Sequence, residues 1–171
     1  MNSADPVTGL GNRQRVISQL ESAAETAKNN GAWLGIALMD LDRFKQVNDR
    51  YGRAAGDAVL WRVAQELEDA LLVGESVGRV EPDEFLVLMP GSDPDTAGRR
   101  AEALRGVVER TVVSLPDGTS AAVTASVGVS AAHGTECAVL PLLTAADFAM
   151  FLAKNDGGNQ VHWWPVKHAA T

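Results

Sequence analysis

Apolar positions near the start of the chain recur at helical spacing. Val16, Ile17, Leu20, Ala23, Ala24 and Ala27 form one stripe. Asn12 precedes it as an N-cap candidate, and Asn29-Asn30-Gly31 stops it. The period then changes. Ala32-Trp33-Leu34-Gly35-Ile36-Ala37-Leu38-Met39 is a continuous apolar run, as in a strand covered on both faces, and Asp40 falls where that strand ends. Asp42 is placed to cap a short helix through Phe44, Val47 and Tyr51, closed by Gly52. From Asp57 to Leu72, helical spacing returns in Val59, Leu60, Val63, Ala64, Leu67 and Leu71. Two short apolar runs, Ser76-Val77-Gly78 and Leu86-Val87-Leu88-Met89, flank Arg79-Val80-Glu81-Pro82-Asp83-Glu84-Phe85 and read as the arms of a hairpin. A charged amphipathic helix is expected over Asp95 to Val113. A strand follows at Val123–Val129, a helix over Leu140 to Lys154, and a last strand over Gln160–Trp164. This order predicts an α/β or α+β sandwich, a central mixed sheet of about five strands flanked by helices. No Gly-rich Rossmann or P-loop fingerprint interrupts it.

Composition narrows the function classes. The 171 residues suit one domain with a full core, and 46% hydrophobic residues argue against disorder. Lys and Arg number 15 against 22 Asp and Glu, so 15 − 22 gives −7. That balance disfavours nucleic acid and anionic membrane as partners, since both call for a basic face. A single cysteine, Cys137, excludes an internal disulfide and fits a reducing cytoplasm. No apolar run reaches membrane-spanning length, and the N-terminus lacks a signal-peptide pattern. The chain opens almost directly on a motif, as expected of a domain cut from a longer protein. His133, His162 and His168 show no zinc spacing with Cys137, and Ser126 has no nucleophile-elbow context. Trp163-Trp164 reads as packing on an edge strand, and Arg99-Arg100 as a solvated helix face.

Several segments carry a resemblance. They are Asp5-Pro6-Val7-Thr8-Gly9-Leu10-Gly11-Asn12-Arg13; Met39-Asp40-Leu41-Asp42-Arg43-Phe44-Lys45-Gln46-Val47-Asn48-Asp49-Arg50-Tyr51-Gly52 with Gly56-Asp57; Asp83-Glu84-Phe85; Ser126-Val127-Gly128-Val129; and Ala146-Asp147 through Phe151-Leu152-Ala153-Lys154. In this order they resemble the GGDEF family, the diguanylate cyclases that make cyclic di-GMP from two GTP molecules. The resemblance implies the polymerase-palm-like sheet of nucleotidyl cyclases over residues 1–171. It implies a Mg²⁺ site from Asp40, the Leu41 carbonyl and Asp83. Glu84 would be a second carboxylate or the acceptor of the 3′-hydroxyl proton. Lys45 and Lys154 would contact GTP phosphates, and Asn48 and Asp57 would recognise guanine. Carboxylates and a carbonyl are suitable hard ligands for Mg²⁺, and an amide with an acid suits the guanine edges. Read from the residues alone, Asp40 and Asp42 equally cap the next helix and Asp83 completes a turn. Asn48 then marks a helix terminus, Asp57 a helix cap, and the lysines a solvated face.

The chain departs from the family at the catalytic turn. Glu81 and Pro82 stand where the family has two glycines. Two glycines permit positive φ and close approach to a ligand; Pro82 fixes φ near −65° and removes an N–H. Glu81-Pro82-Asp83-Glu84 still suits a type I turn with proline second. Glu81 also adds negative charge beside a polyanionic substrate. Gly157-Gly158-Asn159 replaces the family's Gly-Arg-Asn. Leu72-Val73-Gly74-Glu75 lies where many members carry the Arg-x-x-Asp of an inhibitory product site. The sequence therefore predicts a degenerate, catalytically impaired GGDEF domain: a regulatory module that binds GTP or a related nucleotide weakly, works with an attached sensory or effector domain, and is able to form a homodimer. The alternatives are an active cyclase with an atypical turn and a purely structural dimerisation module. A cytoplasmic location is expected for the domain, whether or not the whole protein is membrane-anchored.

Overall fold

The computed structural model describes residues 3–166. Helix α1 spans Arg13–Asn30, strand β1 Trp33–Leu41, α2 Phe44–Tyr51 and α3 Arg53–Asp69. A hairpin of β2 (Ser76–Glu81) and β3 (Glu84–Pro90) follows, then α4 (Pro94–Arg110). Short strands β4 (Val112–Ser114) and β5 (Ser120–Ala122) precede β6 (Ala125–His133), α5 (Val139–Asn155) and β7 (Gln160–Trp163). The main sheet has five strands in the order β2-β3-β1-β6-β7. The first four are antiparallel neighbours, and β7 runs parallel to β6. This is the mixed five-stranded sheet that the sequence predicts.

Buried residues of β1 explain why its apolar run is continuous. Ala37, Met39 and Leu41 face a core shared with α3 and α4. Leu34, Ile36 and Leu38 face a second core shared with α1 and α5. A strand covered on both faces has no polar side to alternate with. Helix α1 begins as its sequence predicts: the Asn12 side chain accepts from the Arg15 N–H, and Gly31 ends it in the left-handed region at φ 59°.

Three boundaries differ from the sequence expectation. Helix α3 begins at Arg53, four residues before Asp57, because Gly52 supplies the break that ends α2 and starts α3. Asp57 is therefore no helix cap. Helix α4 stops at Arg110, and the segment beyond it forms the β4–β5 ribbon, absent from the sequence reading. Strands of three residues are too short to show a period. Finally, β6 continues to His133, where the alanine pair Ala131-Ala132 gave no β signal.

Candidate functional site

The β2–β3 hairpin brings the signature segment to one end of the sheet. Glu81 pairs with Glu84, leaving Pro82 and Asp83 as the two loop residues. Neither takes a positive φ; among the described non-glycine residues only Arg43 and Asn159 do. The turn thus survives the loss of two glycines, as its sequence predicts. Side chains brace it from outside. The Arg79 guanidinium donates to the Pro82 carbonyl through Nε at 3.0 Å and Nη2 at 2.6 Å. Its Nη1 donates to the Asp5 carboxylate at 3.1 Å. Asp5 also accepts from the Thr8 N–H at 2.8 Å and hydroxyl at 2.7 Å. Burial pushes the Asp5 carboxyl up, but these hydrogen bonds and the Arg79 charge outweigh it and hold the group below the usual range. On the other flank, Arg13 donates to Glu81 Oε1 at 2.6 Å and to the Val80 carbonyl at 3.1 Å. The Glu81 charge, expected beside the substrate, is thus paired with a cation of α1.

Strand register places the acidic pair. Asp40 lies directly opposite Glu84 across the antiparallel β1–β3 ladder, so both carboxylates project from the same face. The Leu41 N–H donates to the Asp83 carbonyl at 3.0 Å, which ties the turn to the end of β1. Lys154, in the last turn of α5, places Nζ 2.6 Å from Asp40 Oδ2. Asp40 is 7% exposed. Burial raises its carboxyl above the ordinary range against the pull of Lys154, and the Asp83 charge adds to the rise. Glu84 is pushed up to about 7, first by burial and then by the Asp40 charge. Burial disfavours the Lys154 ammonium, but Asp40, Glu84 and Asp83 together raise its pKa. Asp40, Asp83, Glu84 and Lys154 therefore form one electrostatic unit. A groove of about 290 Å³ opens beside it, between Arg13 and Glu81 on one side and Leu143, Thr144 and Asp147 on the other.

The donor set fits a hard cation. It is oxygen only, and burial first, with the neighbouring carboxylates adding to it, raises two pKa values, a strain that a divalent cation relieves. Among the described residues no group of three or more His, Cys, Asp or Glu forms a full metal cage. Mg²⁺ asks for less: one or two carboxylates, with water and phosphate oxygens completing its octahedron.

Asp42 is the main residue that the sequence misassigned. It does not cap α2, whose cap position is Arg43 at φ 54° with no side-chain cap bond. Its carboxylate accepts instead from the Thr124 hydroxyl at 2.6 Å, the Ser126 hydroxyl at 2.6 Å and the Asn159 N–H at 2.9 Å. Strand geometry continues through Leu41, which turns Asp42 toward β6 and β7 rather than into the helix. Gly158 sits at φ +75°, and a Cβ there would lie 3.1 Å from the Asp42 carboxylate. The Asn159 side chain in turn accepts from Arg105 and donates to Glu109, both on α4.

The expected base-binding residues lie on the α2–α3 pair. Asn48 is half-buried, and its Oδ1 has no hydrogen-bond partner among the described residues. It packs against Gly56, where an added Cβ would come within 1.8 Å of Oδ1. Asp57 is the next residue, exposed on α3, and Lys45 is exposed on α2. An unpartnered buried amide oxygen is costly, and such groups occur where a ligand can complete them.

The sequence model of the family described as diguanylate cyclase, GGDEF domain, matches residues 2–160. The chain belongs to the GGDEF domain family. Diguanylate cyclase DgcP of Pseudomonas aeruginosa is 32% identical over 157 residues, 92% of this chain and 23% of that protein. The solved structure of diguanylate cyclase SiaD in complex with its activator SiaC, also from P. aeruginosa, superposes with a TM-score of 0.88 at 34% identity, covering 94% of this chain and 61% of that one. The GGDEF domain of DgcB from Caulobacter crescentus, solved in complex with c-di-GMP, gives 0.88 at 25% identity over 94% and 92%. The chain spans less than half the length of the curated relatives it matches first, including 47% of an uncharacterized membrane protein of Staphylococcus saprophyticus.

At Leu72-Val73-Gly74-Glu75, the segment that the resemblance sets against a product site, the chain is bonded to itself. The Glu75 carboxylate accepts from Arg100 Nε at 2.8 Å and Nη2 at 2.7 Å, and from the Leu72 N–H at 2.8 Å. Arg100 also donates to the Ala70 carbonyl. Arg100 is thus no solvated side chain; its position on α4 faces the entry to β2. Other sequence candidates are structural. Cys137 is buried and its thiol is pushed up by that burial. Ser126 serves Asp42. Trp164 packs edge-on against Phe148 at 4.5 Å, although Trp163 is exposed. His133 packs on Trp33 and His162 lies 3.1 Å from Asp156, whereas His168 falls outside the described residues.

Proposed function

We propose that this GGDEF domain is a regulatory module of cyclic di-GMP signalling that holds GTP with Mg²⁺ weakly and makes cyclic di-GMP slowly or not at all. One observation carries the reading. The Asp40–Glu84–Lys154 centre is assembled, while the adjoining turn is rebuilt around Glu81 and Pro82 and clamped by Arg79 and Arg13.

Each retained residue has a physical role. Lys154 and Lys45 attract the phosphates. Asn48 offers its unpartnered Oδ1 to the guanine edge, and Asp57 accepts from the N1–H and N2 amine. Asp40, the Leu41 carbonyl and Asp83 would hold Mg²⁺, which when bound screens the charge that develops on the attacked phosphate. Glu84, with a pKa of about 7, is matched to accepting a proton from a hydroxyl near neutral pH.

Turnover asks for more than the centre itself. Substrate must reach a near-attack geometry, and small displacements cost large factors in rate. Pro82 offers no backbone N–H to a phosphate, and the Glu81 carboxylate lines the groove beside Glu84. Gly158 supplies no guanidinium. The closed Glu75–Arg100 pair supports a domain without product feedback at that position. No described helix is long and apolar enough to cross a membrane. The remaining length of the relatives supports an attached sensory or effector domain, membrane-anchored or not, through which nucleotide occupancy would be read out.

The test is incubation of the purified domain with GTP and Mg²⁺, with chromatographic detection of cyclic di-GMP. Product absent or formed orders of magnitude below an intact GGDEF domain is expected. Rapid synthesis that Asp83→Ala abolishes would establish the active cyclase instead.

A further inference from the structure

The geometry points to Lys154 as a tethered counter-cation that occupies Asp40 until a phosphate draws it away, so that metal and phosphate bind this site with positive coupling. The inference rests on the reading of Asp40 as a metal ligand. Lys154 is anchored at the last turn of α5, and its side chain is 40% exposed, so solvent and ligand can reach it. Its Nζ meets Asp40 Oδ2 at 2.6 Å, the distance of a strong charge-assisted bond. The Asp40 backbone is held in place, because β1 lies between two paired strands there, opposite Glu84 on β3 and Ser126 on β6. A buried carboxylate thus faces an ammonium that solvent and ligand can reach.

The consequence is competition for one oxygen. An ammonium is a compact point charge, and so is a hydrated divalent cation. Metal arriving alone must break the Lys154–Asp40 bond and leave the ammonium among fewer acceptors. Metal arriving with a nucleotide does not, because the phosphate offers Lys154 a new anion as Asp40 is released. Coupling of this kind is reciprocal: phosphate tightens metal and metal tightens phosphate. Free Mg²⁺ would leave the site closed, and occupancy would follow the nucleotide.

The test is a Mn²⁺ titration followed by electron paramagnetic resonance, without nucleotide. It compares the wild-type domain with Lys154→Met, Lys154→Arg and Lys28→Met. Thermal melts confirm that each variant is folded. Lys154→Met is expected to bind Mn²⁺ about tenfold more tightly than wild type, the equivalent of one charge-assisted bond. Lys154→Arg keeps a cation on Asp40 and should stay near wild type. Lys28→Met removes the same charge from the last turn of α1 and should change affinity less than about twofold, as expected of an exposed, screened charge. Unchanged or weaker binding in Lys154→Met overturns the competition. Equal tightening in Lys154→Met and Lys28→Met reduces it to net charge and also overturns it. Absence of Mn²⁺ binding in every protein at millimolar metal removes the metal-site reading itself, and the inference with it.

Discussion

Glu84→Gln should stabilise the domain, and only above the pH at which a carboxylate there is forced to ionise. The unfolded chain ionises Glu84 with a pKa near 4.5, and the fold raises it to about 7. Below the lower value the group is neutral in both states and contributes no penalty. Between the two values the unfolded state loses its proton first, so the fold is progressively disfavoured. Above about pH 7 the full penalty applies. The shift corresponds to an upper figure of about 3 kcal/mol at 1.36 kcal/mol per unit. Glu84 is only half-buried, so solvent screening lowers the expected value to about 1–2 kcal/mol. Glutamine keeps the shape and donates to Asp40 as the protonated acid would. The melting temperature of Glu84→Gln should therefore exceed that of wild type by roughly 2–7 °C at about pH 8. At about pH 4.5 the two should coincide. Melts across this range in EDTA, followed by circular dichroism, supply the comparison. A difference independent of pH, or a variant less stable at pH 8, would refute the reasoning that crowded, buried carboxylates strain this site.

Three further outcomes follow from named contacts. Gly56→Ala should push the Asn48 amide aside and weaken GTP binding about tenfold while the fold survives, as read by calorimetry and a melt. Asp42→Ala strands two hydroxyls and the Asn159 N–H, and should cost roughly 2–4 kcal/mol in urea denaturation, with faster amide exchange over residues 157–160. Arg79→Ala frees the Pro82 carbonyl and leaves Asp5 without its cation; it should cost roughly 1–3 kcal/mol in the same urea assay and raise amide exchange at Asp83 and Glu84.

How much of this was legible beforehand divides along sequence distance. The hydrophobic periods located every strand of the main sheet and every long helix, because each is an apolar pattern of at least several residues. The meeting of the end of β1 with the hairpin tip was also within reach once those strands are neighbours, but the sequence reading paired Asp40 with Asp83, whereas the register sets Glu84 opposite Asp40. What failed were polar contacts between residues distant in the chain. Nothing local distinguishes Asp42, which bonds Asn159 117 positions away, from an ordinary helix cap. The same holds for Arg79 with Asp5, and for Arg100, whose partner Glu75 lies 25 residues upstream. Glu81 illustrates the converse. Its charge was read beside the substrate, but its partner Arg13 appears only once α1 lies along the hairpin. The spacing Asp-x-Asp at the end of a buried strand was the one available signal for Asp42, because alternate residues of a strand share a face and these two instead straddle the strand's end.

The central claim is that the nucleotide pocket outlives the catalytic turn. A single calorimetric titration of the wild-type domain with GTP in Mg²⁺ tests it, because binding heat saturates whereas turnover heat continues as long as substrate remains. The account predicts a saturable, Mg²⁺-dependent binding heat with a dissociation constant weaker than that of an intact GGDEF domain, and a flat baseline afterwards. Sustained heat after each injection, or no heat at millimolar GTP, would contradict it.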